Sequence, residues 1–147
     1  MGKRRQGREL AIQALFHLEY NPDNHPDKAF DLICDNFDSL ESIRPFSRHL
    51  VLGVCEKRDQ LDELIRNASK NWRLERMSVL DRCILRLAAF EILFMEDVPP
   101  KVSIDEALEM GKKFGSEDSS SFINGILDNI YNTLREQGLL KGKENGA

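Results

Sequence analysis

Apolar residues recur along this chain at intervals of three and four positions, the spacing that places side chains on one face of an α-helix. The strict alternation of apolar and polar residues that indicates a β-strand persists nowhere in the sequence. The pattern therefore predicts an all-α protein of about seven helices of unequal length, packed as two small bundles. The first helix is predicted from about Arg4 to Tyr20, with its apolar face at Ala11, Ala14, Leu15 and Leu18.

Two further helices are predicted in the first half of the chain. Turn-forming residues at 21–27 separate the first helix from a short second one, and Pro45 can occupy the first position of a long third one. We expect the long helix to continue to Ala68, over roughly 23 residues or about 35 Å. The inward positions are Phe30, Ile33, Cys34 and Phe37 in the short helix, and Phe46, Leu50, Val54, Leu61, Leu64, Ile65 and Ala68 in the long one.

The helix that follows is apolar on more than one face, so we expect it at the centre of the fold. Ser78 and Asp81 stand at the spacing of a helix N-terminal cap. Glu91 falls on the inward stripe, where a carboxylate requires hydrogen-bond donors. We interpret Glu91 as a structural residue, because no histidine or second acid accompanies it in a catalytic pattern. The stripe itself is Leu80, Cys83, Ile84, Leu87, Ala88 and Phe94.

Two helices are predicted after Pro99 and Pro100, which interrupt the helical pattern because proline lacks an amide donor. Ser103 and Glu106 stand three apart, the spacing of a capping box at the start of the first of these helices. Gly115 is predicted to end it, and Asp118 or Ser119 to cap the second. The inward positions are Ile104, Ala107, Leu108, Gly111 and Phe114 in the first, and Phe122, Ile123, Ile126, Leu127, Ile130 and Leu134 in the second.

Two residues of the last helix are not explained by the packing of two helices alone. Gly125 lies inside the helix, where glycine costs ~1 kcal/mol against alanine. A close approach of another backbone would offset that cost, and if one occurs there, Gly125→Ala should destabilise the fold by ~1 kcal/mol or more; otherwise the glycine is incidental. Phe122 lies in the first turn beside the polar cluster 116–121, and it is either a core residue or a ring available to a ligand.

The distribution of charge along the chain says more about possible binding partners than the overall composition does. With 147 residues, 41% of them hydrophobic, the chain suits one domain, which we place at 1–140 with a frayed tail at 141–147. The net charge is −4, but the first eight residues carry +4 and no acid, so the other 139 carry −8. This basic arm consists of Lys3, Arg4, Arg5 and Arg8, and it either remains solvated or engages phosphates.

Several classes of function find no support in the sequence. His17, His25 and His49 are scattered, and the chain has no phosphate-binding glycine loop, metal-spaced His/Cys cluster or nucleophile elbow. We therefore expect no enzyme activity, no cofactor and no metal. No apolar run approaches the ~18 residues that a membrane span requires, and no signal peptide precedes the first helix. The three cysteines are odd in number and far apart, as expected for reduced thiols of a cytosolic protein.

The chain resembles the NusB family of bacterial transcription antitermination factors in three segments that occur in the expected order. They are GRELAIQALF at 7–16, WRLERMSVLDRCILRLAAFEIL at 72–93 and KVSIDEALEMGKKFGSEDSSSFINGILDNI at 101–130. The resemblance implies a fold of two perpendicular three-helix bundles and a free-standing factor without enzymatic activity.

The resemblance also implies binding to boxA, a short single-stranded element in ribosomal RNA leaders. Unpaired bases are recognised by stacking on aromatic rings and by hydrogen bonds to their edges, while cations hold the backbone. The candidate residues are Lys3, Arg4, Arg5 and Arg8 for the phosphates, Phe122 for stacking, and Asp118 and Ser119 for base edges. The sequence departs from many relatives at Ser121, where a basic residue is frequent.

Protein partners are implied as well. NusB proteins pair with NusE, a small-subunit ribosomal protein, and the heterodimer joins an antitermination complex on RNA polymerase. The residues that would contact NusE are Phe16, Trp72, Arg76 and Asp81, although Trp72 could equally belong to the core. A homodimer of the free protein is also open, as some relatives dimerise. The alternative function is a pure protein–protein scaffold whose basic arm merely aids solubility.

Overall fold

The computed structural model describes residues 2–36, 41–70 and 72–140, which form seven α-helices, two short 3₁₀ turns and no strand. The all-α prediction is confirmed. The helices pack into two compact units, Met1–Glu56 and Lys57–Ala147. The predicted tail 141–147 and the predicted inward residue Phe37 lie outside the described residues. The helices are α1 (Lys3–Tyr20), α2 (Pro26–Asn36), α3 (Arg44–Glu56), α4 (Arg58–Ala68), α5 (Val79–Phe94), α6 (Pro100–Phe114) and α7 (Ser119–Glu136), with 3₁₀ turns at Glu41–Ile43 and Leu74–Arg76.

In the first unit, α1 packs against both α2 and α3. α1 lies close to α3 at Gly7, where a Cβ atom would lie 2.8 Å from the ring of Phe46. Ser47 donates a hydrogen bond to the Gly7 carbonyl over 2.7 Å, so the start of α1 is fixed to α3. The core of this unit comprises Leu10, Ala11, Ile12, Ala14, Leu15, Ala29, Phe30, Cys34, Ile43, Leu50, Val51 and Val54.

The long helix predicted from Pro45 to Ala68 is wrong, because α3 and α4 are separate helices. Lys57 lies between them in a turn, with φ −99° and ψ 12°. The buried residues Val54 and Leu61 stand seven positions apart, so the apolar pattern runs without interruption across the break. No glycine or proline stands between them. Each helix packs its stripe into its own unit, and local periodicity carries no signal of that division.

In the second unit, α5 is the central helix, packed against α4, α6 and α7 as its apolar faces predicted. Ser78 caps it, because its hydroxyl accepts a hydrogen bond from the Asp81 amide over 3.1 Å. Glu91 is buried and accepts a hydrogen bond from the Ser103 hydroxyl over 2.9 Å. Both the predicted cap and the predicted structural role of Glu91 are confirmed.

Two predictions for α6 are wrong. The helix begins at Pro100, with Pro99 at the N-cap position, so Ser103 lies inside the helix and cannot form a capping box with Glu106. Its hydroxyl is instead required by the buried Glu91. Phe114 is not inward, because its ring lies in the last turn at 37% exposure.

The close approach of two helices occurs at Gly111 and not at Gly125. A Cβ atom at Gly111 would lie 3.2 Å from the side chain of Ile123 and 3.4 Å from the amide nitrogen of Ser120, so this glycine brings α6 and α7 together. At Gly125, apart from the adjacent backbone of α7 itself, no described atom lies within 4 Å of the Cβ position. The predicted backbone approach at Gly125 is therefore wrong, and the condition on which Gly125→Ala was expected to lose stability is not met.

The described ranges contain no helix that combines the length and apolar character needed to cross a membrane. Within the same ranges, no group of three or more His, Cys, Asp or Glu side chains could hold a metal ion. Cys34 and Cys83 are buried and Cys55 is half-buried, with all three present as thiols.

Candidate nucleic-acid interface

An open groove of about 530 Å³ lies in the second unit, bordered by the turn Leu74–Arg76, the start of α5 and the start of α7. We call it the serine groove. It combines two carboxylates, one guanidinium, several hydroxyls and two aromatic rings. The lining residues are Trp72, Arg76, Met77, Ser78, Asp81, Ser116, Asp118, Ser119, Ser121 and Phe122.

The serine groove brings together residues that the family resemblance assigned to two different partners. Three of the residues expected at base edges and stacked bases line it, and so do three of the four expected against NusE. In this unit, the two predicted surfaces are therefore one surface. The six residues are Asp118, Ser119 and Phe122 from the RNA set, and Trp72, Arg76 and Asp81 from the NusE set.

Ser119 ties the start of α7 to the start of α5. Its hydroxyl donates to the Asp81 carboxylate over 2.8 Å and accepts from the Ser116 amide over 2.9 Å. The residue is only 2% exposed. Since a hydroxyl has a single proton to donate, Ser119 positions Asp81 and the first turn of α7 at the groove floor.

Asp118 occupies the N-cap position of α7 and is exposed, but its side chain makes no cap hydrogen bond with the described residues. The expectation that the Asp118 or Ser119 side chain caps α7 is therefore wrong. The chain enters α7 already in the right-handed helical conformation, with φ −93° and ψ −4° at Asp118. The carbonyls of Ser116 and Asp118 consequently accept from the amides of Ser119 and Phe122.

Trp72 and Phe122 form an aromatic wall along one side of the groove. Their ring centroids lie 5.4 Å apart with an interplanar angle of 82°, an edge-to-face contact. Trp72 is 57% exposed, so it does not belong to the core. Phe122 is half-buried. The wall therefore offers aromatic surface at a site that solvent reaches.

Two residues not predicted from the sequence, Arg82 and Ser69, fix the backbone on either side of Trp72. The Arg82 guanidinium donates to the carbonyls of Leu74 and Glu75 over 3.2 and 3.3 Å, which fixes the turn that leads to Arg76. The amide of Trp72 donates to the Ser69 carbonyl over 3.1 Å. No pattern in the sequence indicates Arg82, because its role depends on where backbone carbonyls point after folding.

The basic arm lies in the first unit, at the start of α1. Lys3 and Arg4 are exposed and Arg5 is half-buried, whereas Arg8 is only 4% exposed. The guanidinium carbons of Arg4 and Arg8 lie 4.7 and 5.6 Å from the centroid of the Phe46 ring, within the range of cation–π contact. The burial of Arg8 weighs against its direct contact with a phosphate and makes it a support for the arm.

Phe16, the remaining residue of the NusE set, lies on α1 in the first unit. It is 38% exposed, and its ring centroid lies 5.1 Å from that of Tyr20, which is 63% exposed. Tyr20 was not among the residues predicted to contact NusE. Its position four residues after Phe16 on the same helix face was the available signal.

Gly115→Ala is expected to destabilise the fold and to displace Ser119, which lines the serine groove. A Cβ atom at Gly115 would lie 2.6 Å from the Cβ of Ser119 and 2.8 Å from the Gly111 carbonyl. Because neither the Gly111 backbone nor the start of α7 can yield cheaply, we expect a loss of about 1–3 kcal/mol in the free energy of unfolding. Urea denaturation measures it, with Gly125→Ala as the control glycine, since no described atom crowds that position. Equal stability of Gly115→Ala and the parent would contradict the crowding.

The chain is similar to known proteins over most of its length. The model of the NusB family matches residues 5–132. The transcription antitermination protein NusB of Desulforapulum autotrophicum is 49% identical over 132 residues, covering 88% of this chain and 92% of that protein. The protein of the same name from Geobacter sulfurreducens is 46% identical over 139 residues, covering 94% of this chain and 100% of that protein.

Solved structures share the fold. A T. maritima NusB structure superposes with a TM-score of 0.82 at 36% identity, covering 90% of this chain and 92% of that one. A crystal structure of the antitermination factors NusB and NusE in complex with dsRNA contains a chain with a TM-score of 0.82, covering 90% of this chain and 98% of that one. The second is 22% identical, so it supports the fold alone.

Proposed function

The chain belongs to the NusB family, and from that premise we propose that it is an antitermination factor that binds boxA RNA together with NusE. In this role it joins the antitermination complex on RNA polymerase, works without enzymatic activity, and acts in the cytoplasm, where the transcripts are made. The observation that carries the proposal is the serine groove, which places exposed aromatic surface beside an exposed carboxylate. That combination suits an unpaired base, which needs a stacking surface and a partner for its edge.

Within the serine groove, each residue has a proposed role. Phe122 stacks on a base, because its half-buried ring is fixed against Trp72 and keeps aromatic surface open to the groove. Asp118 accepts a hydrogen bond from the N–H edge of guanine. Ser119 acts indirectly, since its hydroxyl is engaged with Asp81 and the Ser116 amide. The groove thus reads a base, and the buried hydroxyl keeps its floor in place.

The basic arm supplies the affinity that does not depend on sequence. Lys3, Arg4 and Arg5 neutralise phosphates, and each contact releases counterions from the RNA. Arg8 contributes through the Phe46 ring that it shares with Arg4. A guanidinium held against an aromatic ring keeps its N–H edge in a defined direction, which suits a phosphate oxygen.

NusE is proposed to engage the aromatic pair Phe16 and Tyr20 in the first unit, and Trp72, Arg76 and Asp81 in the second. Exposed aromatic residues are typical anchors of protein interfaces. Since the last three residues line the same groove as Phe122, a partner there would also order the RNA site. Homodimerisation of the free protein stays a prediction.

The test is a titration of the purified protein with boxA RNA and with a scrambled RNA, each with and without NusE. Tighter binding of boxA than of the scrambled RNA, strengthened by NusE, is the expected result. Equal affinity for both RNAs in both conditions would refute the proposal. If the protein bound both RNAs equally but bound NusE tightly, the result would favour the protein–protein scaffold instead. The exposed pair Phe16 and Tyr20 would then be the expected contact with NusE.

Asp118→Asn is expected to bind RNA more tightly and less selectively. Removing one negative charge about 4–8 Å from a phosphate relieves roughly 0.5–1 kcal/mol of repulsion, or about a two- to five-fold gain in affinity. Selectivity for guanine falls, because an amide can present either a donor or an acceptor to the base. The measurement compares boxA with RNAs in which a guanine is replaced by adenine.

The matched control is Glu117→Gln, which removes the neighbouring exposed charge from a residue that does not line the serine groove. It should raise affinity for all RNAs slightly and leave selectivity unchanged. Identical selectivity in the Asp118 and Glu117 variants would remove Asp118 from the site.

A further inference from the structure

A second groove shares the aromatic wall of Trp72 and Phe122 with the serine groove. It has a volume of about 340 Å³, at the lower end of the ~300–1,000 Å³ of small-ligand sites. Trp72, Ser121 and Phe122 line both grooves. We call this one the glycine groove, because Gly125 lies in it.

Among the described residues, nothing packed against position 125 requires a glycine there. It lies in the middle of α7, where glycine costs ~1 kcal/mol against alanine. No described atom would meet its Cβ, so alanine fits the fold without displacement. The residue lies one helical turn from Phe122 and one from Asn129, on the exposed face of α7. The missing side chain therefore leaves a bare stretch of helix between an aromatic ring and an amide.

The other walls of the glycine groove carry groups that suit a nucleotide. The Asn129 amide nitrogen donates to the Ala68 carbonyl over 3.0 Å, which fixes the plane of the amide. Its oxygen has no partner among the described residues and can accept from an amino group of a base. Lys70 is exposed at the rim and offers a positive charge to a phosphate.

We propose that the glycine groove receives an unpaired nucleobase of the bound RNA, the neighbour of the base that stacks on Phe122 from the serine groove. The two bases lie one in each of the grooves that share the aromatic wall, and the bare backbone at Gly125 gives the second base room to lie flat against α7. A helix surface without a side chain at Gly125, an aromatic wall, an amide and an exposed lysine match a base, its edge and its phosphate better than a peptide side chain. This inference rests on the proposed RNA-binding function.

The test uses single-stranded boxA RNA and a set of the same RNA with one abasic nucleotide at each position in turn. Gly125→Leu fills the groove, and we expect it to weaken binding of the intact RNA about 5- to 150-fold, the range for loss of one stacked base. For one abasic position, the parent should bind the abasic RNA as weakly as Gly125→Leu binds the intact RNA. Gly125→Leu should bind that abasic RNA no more weakly than the parent does. A second abasic position should cancel the effect of Phe122→Ala in the same way. The two abasic positions should be neighbours in the RNA.

Thr133→Leu is the matched control, because it adds the same side chain at an exposed position of α7 about 12 Å along the helix. Gly125→Ala should melt no lower than the parent while binding RNA less tightly, a combination that a purely structural glycine cannot give. If Gly125→Leu binds RNA within two-fold of the parent, or no abasic position cancels its effect, the inference is refuted. An effect of Gly125→Leu on NusE binding alone refutes it too.

These outcomes are separate from a failure of the proposed function. If the parent prefers boxA over the scrambled RNA and Gly125→Leu has no effect on binding, the inference about the glycine groove fails and the proposed function stands. If the parent shows no preference between the two RNAs, the proposed function fails and this inference fails with it.

Discussion

Phe122→Ala should weaken boxA binding about 5- to 150-fold, corresponding to ~1–3 kcal/mol for the loss of one stacked base. The ring lies at the junction of two grooves and is held edge-to-face with Trp72, so its orientation is set before RNA arrives. A preordered ring loses little conformational entropy on binding, which leaves most of the stacking energy for affinity. Fluorescence anisotropy with labelled boxA at one fixed salt concentration measures the change.

Three comparisons isolate stacking from packing. Phe122→Tyr keeps the ring and should bind within a few-fold of the parent. Phe114→Ala removes an exposed phenylalanine from α6 in the same unit and should leave affinity unchanged. Circular dichroism must show that each variant retains the helical content of the parent. If Phe122→Ala and Phe114→Ala bind boxA equally well, Phe122 does not stack on RNA.

Arg86→Met should lower the free energy of unfolding by about 3–5 kcal/mol, because it leaves a buried carboxylate without its partner. Arg86 on α5 donates to both oxygens of Asp62 on α4, over 2.7 and 3.2 Å. Both side chains are nearly buried, with 6% and 10% of their surface exposed. Bidentate pairs of this kind fix one helix to the next in both distance and rotation. Urea denaturation at neutral pH measures the loss.

Arg58→Met is the matched control, since Arg58 also faces Asp62 but at 3.9 Å and with half of its side chain exposed. We expect this change to cost no more than about 1 kcal/mol. The double variant Asp62→Leu/Arg86→Met should be more stable than Arg86→Met alone, because it buries no unpaired charge. Equal losses in the Arg86 and Arg58 variants would contradict a special role for the buried pair.

Local signals in the sequence predicted most of the helices. Pro99 and Pro100 separate α5 from α6, Ser78 caps α5, and Gly115 ends α6. Each of these depends on the backbone chemistry of a few adjacent residues. Glu91 was equally predictable, because a carboxylate on an apolar stripe must find a donor once it is buried.

Features that depend on packing over longer distances were not predictable. The apolar stripe crosses Lys57 without a change of period, although the chain there passes from one unit to the other. Gly111 and Gly125 both lie within helical patterns, and only the positions of neighbouring helices decide which of them is crowded. The spacing of Ser103 and Glu106 matched a capping box, but the helix had already begun at Pro100.

Some features of the candidate interface were predictable from the sequence, and others depend on contacts between distant residues. Phe122 and Asp118 were found from the resemblance and from their place at a helix start, and the basic arm from its charge. The burial of Arg8 depends on the Phe46 ring from another helix, so sequence position alone could not show it. The wall formed by Trp72 and Phe122 joins residues fifty positions apart. That contact is what places the predicted NusE and RNA residues in one groove.

The salt dependence of RNA binding tests most directly whether the arm holds phosphates while the grooves hold bases. Replacing Lys3, Arg4 and Arg5 with alanine together should lower the slope of log K against log salt by about 2, at ~0.7 per phosphate contact on a single strand. Phe122→Ala should weaken binding and leave that slope unchanged, because stacking releases no counterions. The same slope in the arm variant and in Phe122→Ala would contradict this division between charge and stacking.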